Sequence, residues 1–341
     1  MPNLLLGMSA PSPSTPADSA DLNGMRMRWE GWDGSIWDVC DRRSGVFLLS
    51  GLRGLGQPTG VRFRNSPPGF HGSQHRGTRW NEREVFWPVK TWHEGKGTQF
   101  IERDRAFFDT MDPERVGRWV VVQPDGGEER HLELRYDPEK SVDDGVETIP
   151  SLQGWARYAL YLMADQPFWV GKPSVKSFDP PRPEDPFFDP NGPGLFNIGQ
   201  GFTTANASID NLGDVESYGR WYVDGETAAG AWVGVGSRTI AIPFAVPAGH
   251  CLVIESDPTK IGAVLYQLSP AQAALSPADR MKPSERVFGV DLINPVNRSK
   301  QLGASPDFAP VAVGRRVKLA VNFEGNGVVE LNLPSLYKRA W

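Results

Sequence analysis

Two histidines four positions apart, His71 and His75, have the spacing with which one face of a helix ligates zinc. Their setting, Asn65-Ser66-Pro67-Pro68-Gly69-Phe70-His71-Gly72-Ser73-Gln74-His75-Arg76-Gly77, is too rich in proline and glycine for a helix, and neither a cysteine nor a third histidine is near. The segment reads as a loop with incidental histidines, and no metal site is expected. Carboxylate pairs such as Glu82/Glu84 or Asp143/Asp144 resemble the equipment of glycoside hydrolysis, but that chemistry is defined by a separation in space. Among 41 acidic residues, neighbouring carboxylates arise by chance on solvated faces. Cys40 and Cys251, far apart in the chain, read as two buried, reduced thiols. The nucleophile elbow G-x-S-x-G, the phosphate loop G-x-x-x-x-G-K-[ST] and paired C-x-x-C motifs are absent, and Gly51-Leu52-Arg53-Gly54-Leu55-Gly56 has the wrong glycine spacing for a dinucleotide site. No catalytic residue and no cofactor is expected, and the chain is not read as an enzyme.

What remains conspicuous is local charge. Arg53, Arg62, Arg64, Arg76, Arg79 and Arg83 face only Glu82 and Glu84 between residues 53 and 86, a local net of 6 − 2 = +4 in a protein of net −5. One reading is a solvated basic face. The other is a contact surface, because guanidinium forks pair bidentately with carboxylates across subunit interfaces. On the second reading the stretch lies at a subunit interface or in a ring lumen, with Glu102, Asp104, Asp109, Asp112 and Glu114 as candidate partners on a neighbouring copy. The overall negative balance excludes a general cationic field for nucleic acid or an anionic membrane. No apolar run approaches the roughly 20 residues that span a bilayer, and Met1-Pro2-Asn3-Leu4-Leu5-Leu6 lacks the build of a secretory signal.

The elements that must position these residues are mainly β. With 37 glycines, 30 prolines and 12 tryptophans in 341 residues, short strands joined by tight turns fit better than a helical bundle. Residues 9–20 carry no large apolar side chain, and residues 1–24 are expected to form a loose Pro/Ser arm. Six prolines in residues 180–193 mark a stiff connector between a first domain, residues 25–179, and a second, residues 194–341. Strands are expected at 36–39, 46–50, 61–64 and 85–92, with a hairpin in which Trp119-Val120-Val121-Val122 runs into Pro124-Asp125-Gly126-Gly127 and returns through Leu132, Leu134 and Tyr136. Leu152, Trp155, Ala156, Ala159, Leu160 and Met163 recur with helical period after Ser151, so one packed helix is expected there, closed by Pro167. In the second domain strands are expected at 219–223, 231–235, 239–244, 251–255, 262–266 and 287–293. A final hairpin follows, with Val317, Leu319, Val321 and Phe323 sharing one face before Glu324-Gly325-Asn326-Gly327 turns the chain.

The order of these features resembles a known family. Gly34-Ser35-Ile36-Trp37-Asp38-Val39 and the strand that follows Gly45 precede the loop Pro68-Gly69-Phe70-His71-Gly72. Then come Arg83-Glu84-Val85-Phe86-Trp87-Pro88-Val89, the expected helix and its exit Asp165-Gln166-Pro167-Phe168-Trp169. Asn197-Ile198-Gly199, Pro247-Ala248-Gly249-His250-Cys251 with the strand it opens, and Tyr337-Lys338-Arg339-Ala340-Trp341 continue the pattern. Together they resemble the distal tail (Dit-like minor tail) proteins of siphophages, particularly those infecting actinobacteria, over residues 25–341. The resemblance implies a ring-forming N-terminal β domain followed by a galectin-like β-sandwich. It also implies a homo-oligomeric, hexameric ring between the tail tube protein and the tip or baseplate proteins, supporting host adsorption. Its place would be the virion tail tip, after assembly in the host cytoplasm, with no catalysis, membrane or specific nucleic acid. The alternative is a carbohydrate-binding module or cell-wall-binding β-sandwich protein, for which Trp221 and Trp232 would have to form an exposed platform instead of core.

Overall fold

A computed structural model describes residues 24–69, 71–124, 127–141, 149–179, 207–275, 279–303 and 305–341. The expected loose arm (but for Gly24), the proline-rich connector and the Asp143/Asp144 pair lie outside the described residues. The protein is mainly β, and it divides into two units: Met1–Trp169 together with Lys338–Trp341, and Val170–Tyr337.

In the first unit β1 (Arg26–Glu30) lies between β2 (Ile36–Asp38) and β7 (Gly117–Val122), and β7 continues to β8 (Glu129–Tyr136). A second antiparallel ladder runs β3 (Val46–Leu48), β6 (Arg83–Trp92), β9 (Trp155–Ala164). The two ladders meet where Arg135 and Tyr136 of β8 pair with Met163 and Leu162 of β9. Period-2 alternation turns Val85, Trp87 and Val89 of β6 inward with Leu132 and Leu134 of β8. Trp29, Trp87, Trp119 and Trp169, each at most 1% exposed, form a chain of edge-to-face contacts with centroids 5.5, 5.2 and 5.0 Å apart. Gly117 is required by this packing, since a Cβ there would stand 2.2 Å from the Trp29 ring. Separate from both ladders, β4 (Gly60–Asn65) and β5 (Gln74–Trp80) form a two-stranded ribbon.

The expected helix after Ser151 is a correction. Only one turn, α2 (Pro150–Gln153), is helical, and Gly154 in the left-handed region ends it. All ten residues of β9 then pair with β6. Ala156 and Leu160 satisfy period 2 as well as the helical period, the buried Leu162 and Ala164 continue only period 2, Leu152 is 69% exposed, and Tyr161 lies tilted against its cross-strand partner Phe86 with centroids 5.0 Å apart. The helix that does pack is α1 (Thr98–Phe108), which buries Phe100 and Phe107. The loop expected around His75 is corrected likewise: His75 lies on β5 opposite Arg64.

In the second unit two sheets enclose one core. One is ordered β10 (Trp169–Phe178), β19 (Val329–Tyr337), β12 (Arg220–Asp224), β15 (His250–Glu255), β16 (Gly262–Leu268), β17 (Leu292–Asn297). The other is β11 (Ser208–Asn211), β18 (Gly314–Asn322), β13 (Ala231–Val235), β14 (Arg238–Ile242). Val223, Ile254, Leu331, Val233, Ile240 and Val321 meet between them. The last strand before the final hairpin begins at Leu292, later than its sequence signal, because Gly289 turns the chain in the left-handed region and Asp291 closes back on Val287. Pro283–Glu285 packs against β12 and β19, and α3 (Pro270–Ala273) packs against β16. Arg286 makes two hydrogen bonds, of 2.7 and 2.8 Å, to the carboxylate of Asp224.

His131 of β8 is more than half buried, which pushes its imidazole down to about 4, with Arg118 adding to the effect. The unfolded chain then binds a proton in a range where the folded chain does not, so stability is lost as pH falls from about 6.5 to 4. A loss on the order of 2 kcal/mol is expected, below the full linkage value because solvent reaches part of the ring. Denaturation midpoints across this range, compared with those of His131→Gln, check it: the variant should show a flatter profile.

Candidate functional site

The ribbon carries most of the arginines singled out by charge. Every residue of β4 is exposed, and Val61 and Phe63, 44% and 51% exposed, point to the face opposite Arg62 and Arg64. The register shifts after Phe63, so that Arg62 faces Thr78, Arg64 faces His75, and Arg76 is the extra residue of a bulge. Arg62, Arg64, Ser73, His75 and Thr78 line a recess of about 360 Å³. Among the described residues the guanidinium groups of Arg62, Arg64, Arg76 and Arg79 have no hydrogen-bond or ion-pair partner. Residues 60–80 contain no aspartate or glutamate. Arg53 lies at the ribbon's foot, exposed, with its guanidinium 5.9 Å from the Phe86 ring.

Arg83 departs from this group and is a correction to the surface reading. It is 2% exposed, and its guanidinium donates to the carbonyls of Pro167 (2.6 Å), Gly54 (2.6 Å), Gly56 (2.5 Å) and Lys338 (2.9 Å). Burial lowers its pKa to about 10, which leaves it charged at neutral pH. Sequence reasoning missed a second anchor of this kind, Arg130, which donates to the Arg339 carbonyl at 3.0 Å. The Ala340 amide bonds to the Leu55 carbonyl, and the Lys338 ammonium sits 5.4 Å from the Trp80 ring. Residues 338–340 are thereby strapped to the foot of the ribbon. Arg83→Lys keeps the charge but cannot reach four carbonyls with one ammonium, so a loss of about 2 kcal/mol is expected. Hydrogen exchange of the Leu55 and Ala340 amides should rise in the variant if the fork holds the strap.

The remaining candidates are dispersed. His71 lies in the ribbon's turn, and no group of three metal-ligating side chains gathers among the described residues. Glu82 and Glu84 border a cleft of about 810 Å³ below the ribbon, lined also by Gln57, Arg79, Trp80 and Asn81; there Glu84 is bound to Lys140 at 2.5 Å. Among the acidic candidates Asp104 is engaged by the hydroxyls of Thr91 and Tyr158, and Asp112 accepts the amides of Glu114 and Arg115. Those amides hold the Asp112 carboxyl below its usual range. Glu102, Asp109 and Glu114 are exposed. Burial pushes the Cys40 thiol up to about 11 and raises that of Cys251 well above its ordinary value, so neither is an activated nucleophile. Trp221 is core, 2% exposed, and Trp232 is half-buried.

No protein-family model and no curated protein matches the sequence. Solved structures do match in fold. The chain is similar to the Dit protein of phage SPP1, described as a paradigm of the hub adsorption apparatus in phages that infect Gram-positive bacteria. The likeness has a TM-score of 0.54 and 10% identity, and covers 90% of this chain and 98% of that one. It is also similar to a chain of the phage p2 baseplate in its activated conformation, determined with strontium and with calcium. Each of those comparisons gives a TM-score of 0.50, 8% identity and coverage of 90% of this chain and 97% of that chain.

Proposed function

We propose that the chain is a structural component of a phage tail tip: a hexameric ring that joins the tail tube protein to the tip or baseplate proteins and supports host adsorption. The observation that carries this reading is the likeness in fold to a hub adsorption protein along nearly the whole length of both chains. The first unit builds the ring and the second is carried by it as a galectin-like sandwich; the virion tail tip is its place, reached after assembly in the host cytoplasm. The ribbon supports the same reading. A lone two-stranded ribbon is marginal in water, and this one presents Val61 and Phe63 to solvent without cover from its own ladders. A neighbouring copy is the occupant that a closed ring supplies, and the arginine-bearing stretch then lies at the subunit interface or the lumen. The reading includes no turnover.

Native mass measurement and electron microscopy of the purified chain, alone and with tail tubes, test it. Six-membered rings, or a cap of this protein on tubes, are expected, and Val61→Ser with Phe63→Ser should abolish them while leaving the fold intact. A chain that stays monomeric with its tail partners, or one that cleaves peptidoglycan or polysaccharide, overturns the reading.

A further inference from the structure

The two faces of the ribbon differ in chemistry. Protein interfaces have an apolar centre, which Val61 and Phe63 can provide. Among the described residues, no apolar side chain lines the recess on the other face. It is formed by two guanidinium groups, one imidazole and two hydroxyls, from Arg62, Arg64, His75, Ser73 and Thr78. Arginine forks with serine and threonine hydroxyls are the set that contacts phosphate oxygens in nucleic-acid complexes. Arg62 and Arg64 stand two residues apart on one strand, about 6.8 Å along it, so each fork can take a separate phosphate of one backbone. Neither guanidinium has an acidic partner to release first, and residues 60–80 contain no carboxylate to repel the ligand.

We propose that the Arg62/Arg64/His75 face of the β4–β5 ribbon binds the phosphodiester backbone of duplex nucleic acid without reading its sequence. The contact is weak and salt-sensitive, because few phosphates are engaged and the rest of the protein carries a net negative charge. The assignment stands on the ribbon itself and holds for the single chain, whether or not rings form.

Fluorescence anisotropy of the purified full chain with a labelled random-sequence duplex of about 20 base pairs, from about 50 to 200 mM salt, tests it. Saturable binding that weakens steeply with salt is expected. Arg62→Gln with Arg64→Gln should weaken it at least about tenfold and reduce the salt slope by roughly 2, one for each lost phosphate contact. Val61→Ser with Phe63→Ser, which removes the apolar face, should leave duplex binding unchanged. Since all four positions are exposed, melting curves should be superimposable. Polyglutamate and inorganic phosphate serve as competitors. Displacement by polyglutamate at equal charge concentration would overturn the proposal in favour of an acidic protein surface. Absence of duplex binding at the lowest salt, or indifference to the double arginine variant, would also overturn it. Failure of the unmodified chain to form rings with its tail partners, with duplex binding retained, would sink the functional reading alone.

Discussion

Arg286→Met is expected to destabilise the second unit by about 3–5 kcal/mol. The guanidinium of Arg286 and the carboxylate of Asp224, with side chains 1% and 8% exposed, are joined by a fork of two parallel hydrogen bonds. Cys251 lies beside Asp224, fully buried, and Glu330 is buried close by, its carboxylate accepting from the Ser177 hydroxyl and the Ser284 amide, each at 2.8 Å. Removing the cation leaves two carboxylates in a site that water does not reach. The cost is therefore that of a stranded charge, several times the worth of an exposed ion pair. Asp224→Leu with Arg286→Met should recover most of the loss, since an apolar pair of similar volume needs no counterion. Urea denaturation followed by hydrogen exchange in β12 and β15 measures both; a single-variant loss below about 1 kcal/mol would show that water reaches the Arg286 and Asp224 side chains.

Trp119→Ala should have a comparable effect in the first unit, about 3–5 kcal/mol. Its ring is wholly buried, at the centre of the tryptophan chain, touching Trp87 on one side and Trp169 on the other. The indole nitrogens of Trp87, Trp119 and Trp169 have no oxygen acceptor among the described residues, and the edge-to-face geometry turns indole edges toward neighbouring π faces instead. Loss of the middle ring opens a cavity between both ladders and removes two aromatic contacts at once. Trp119→Phe should cost distinctly less. Thermal unfolding monitored by tryptophan fluorescence and by exchange in β6 and β7 provides the comparison, and equal losses for both variants would mean that burial alone, without ring geometry, sets the stability.

Much of the β architecture was legible because short-range patterns matched long-range burial. The β7–β8 hairpin was expected from a continuous apolar strand and its alternating return, and Ile240 and Ile242, or Leu319 and Val321, lie inward as their alternation demands. The failures have separate causes. Residues 155–164 satisfied two periods at once, and the choice between them was made by β6, a partner distant in sequence. The helix α1 buries two phenylalanines seven positions apart, too few for a stripe to stand out. The ribbon carried no apolar signal on β5 because neither of its faces meets the protein's own core. The buried arginines left a signal that was overlooked: Arg83 is in phase with Val85, Trp87 and Val89, and Arg130 with Leu132 and Leu134. A cation at an inward position of an alternating strand must find acceptors inside, so charge counted along the chain placed Arg83 on a surface where its phase on the strand did not.

The strap formed by residues 338–340 also bears on the timetable of synthesis. Two of the carbonyls that receive Arg83 and Arg130 belong to Lys338 and Arg339, which a ribosome reaches only after every strand of both units has been made. A nascent first unit therefore holds two inward-facing cations whose last acceptors do not yet exist. Contacts of such sequence separation form late, after the loop between them has closed. Until translation has passed the second unit, the foot of the ribbon is incompletely held. The surface that the ribbon offers to other molecules thus matures only in chains translated through residue 340, so truncated products are poorly equipped to enter an assembly alongside complete ones.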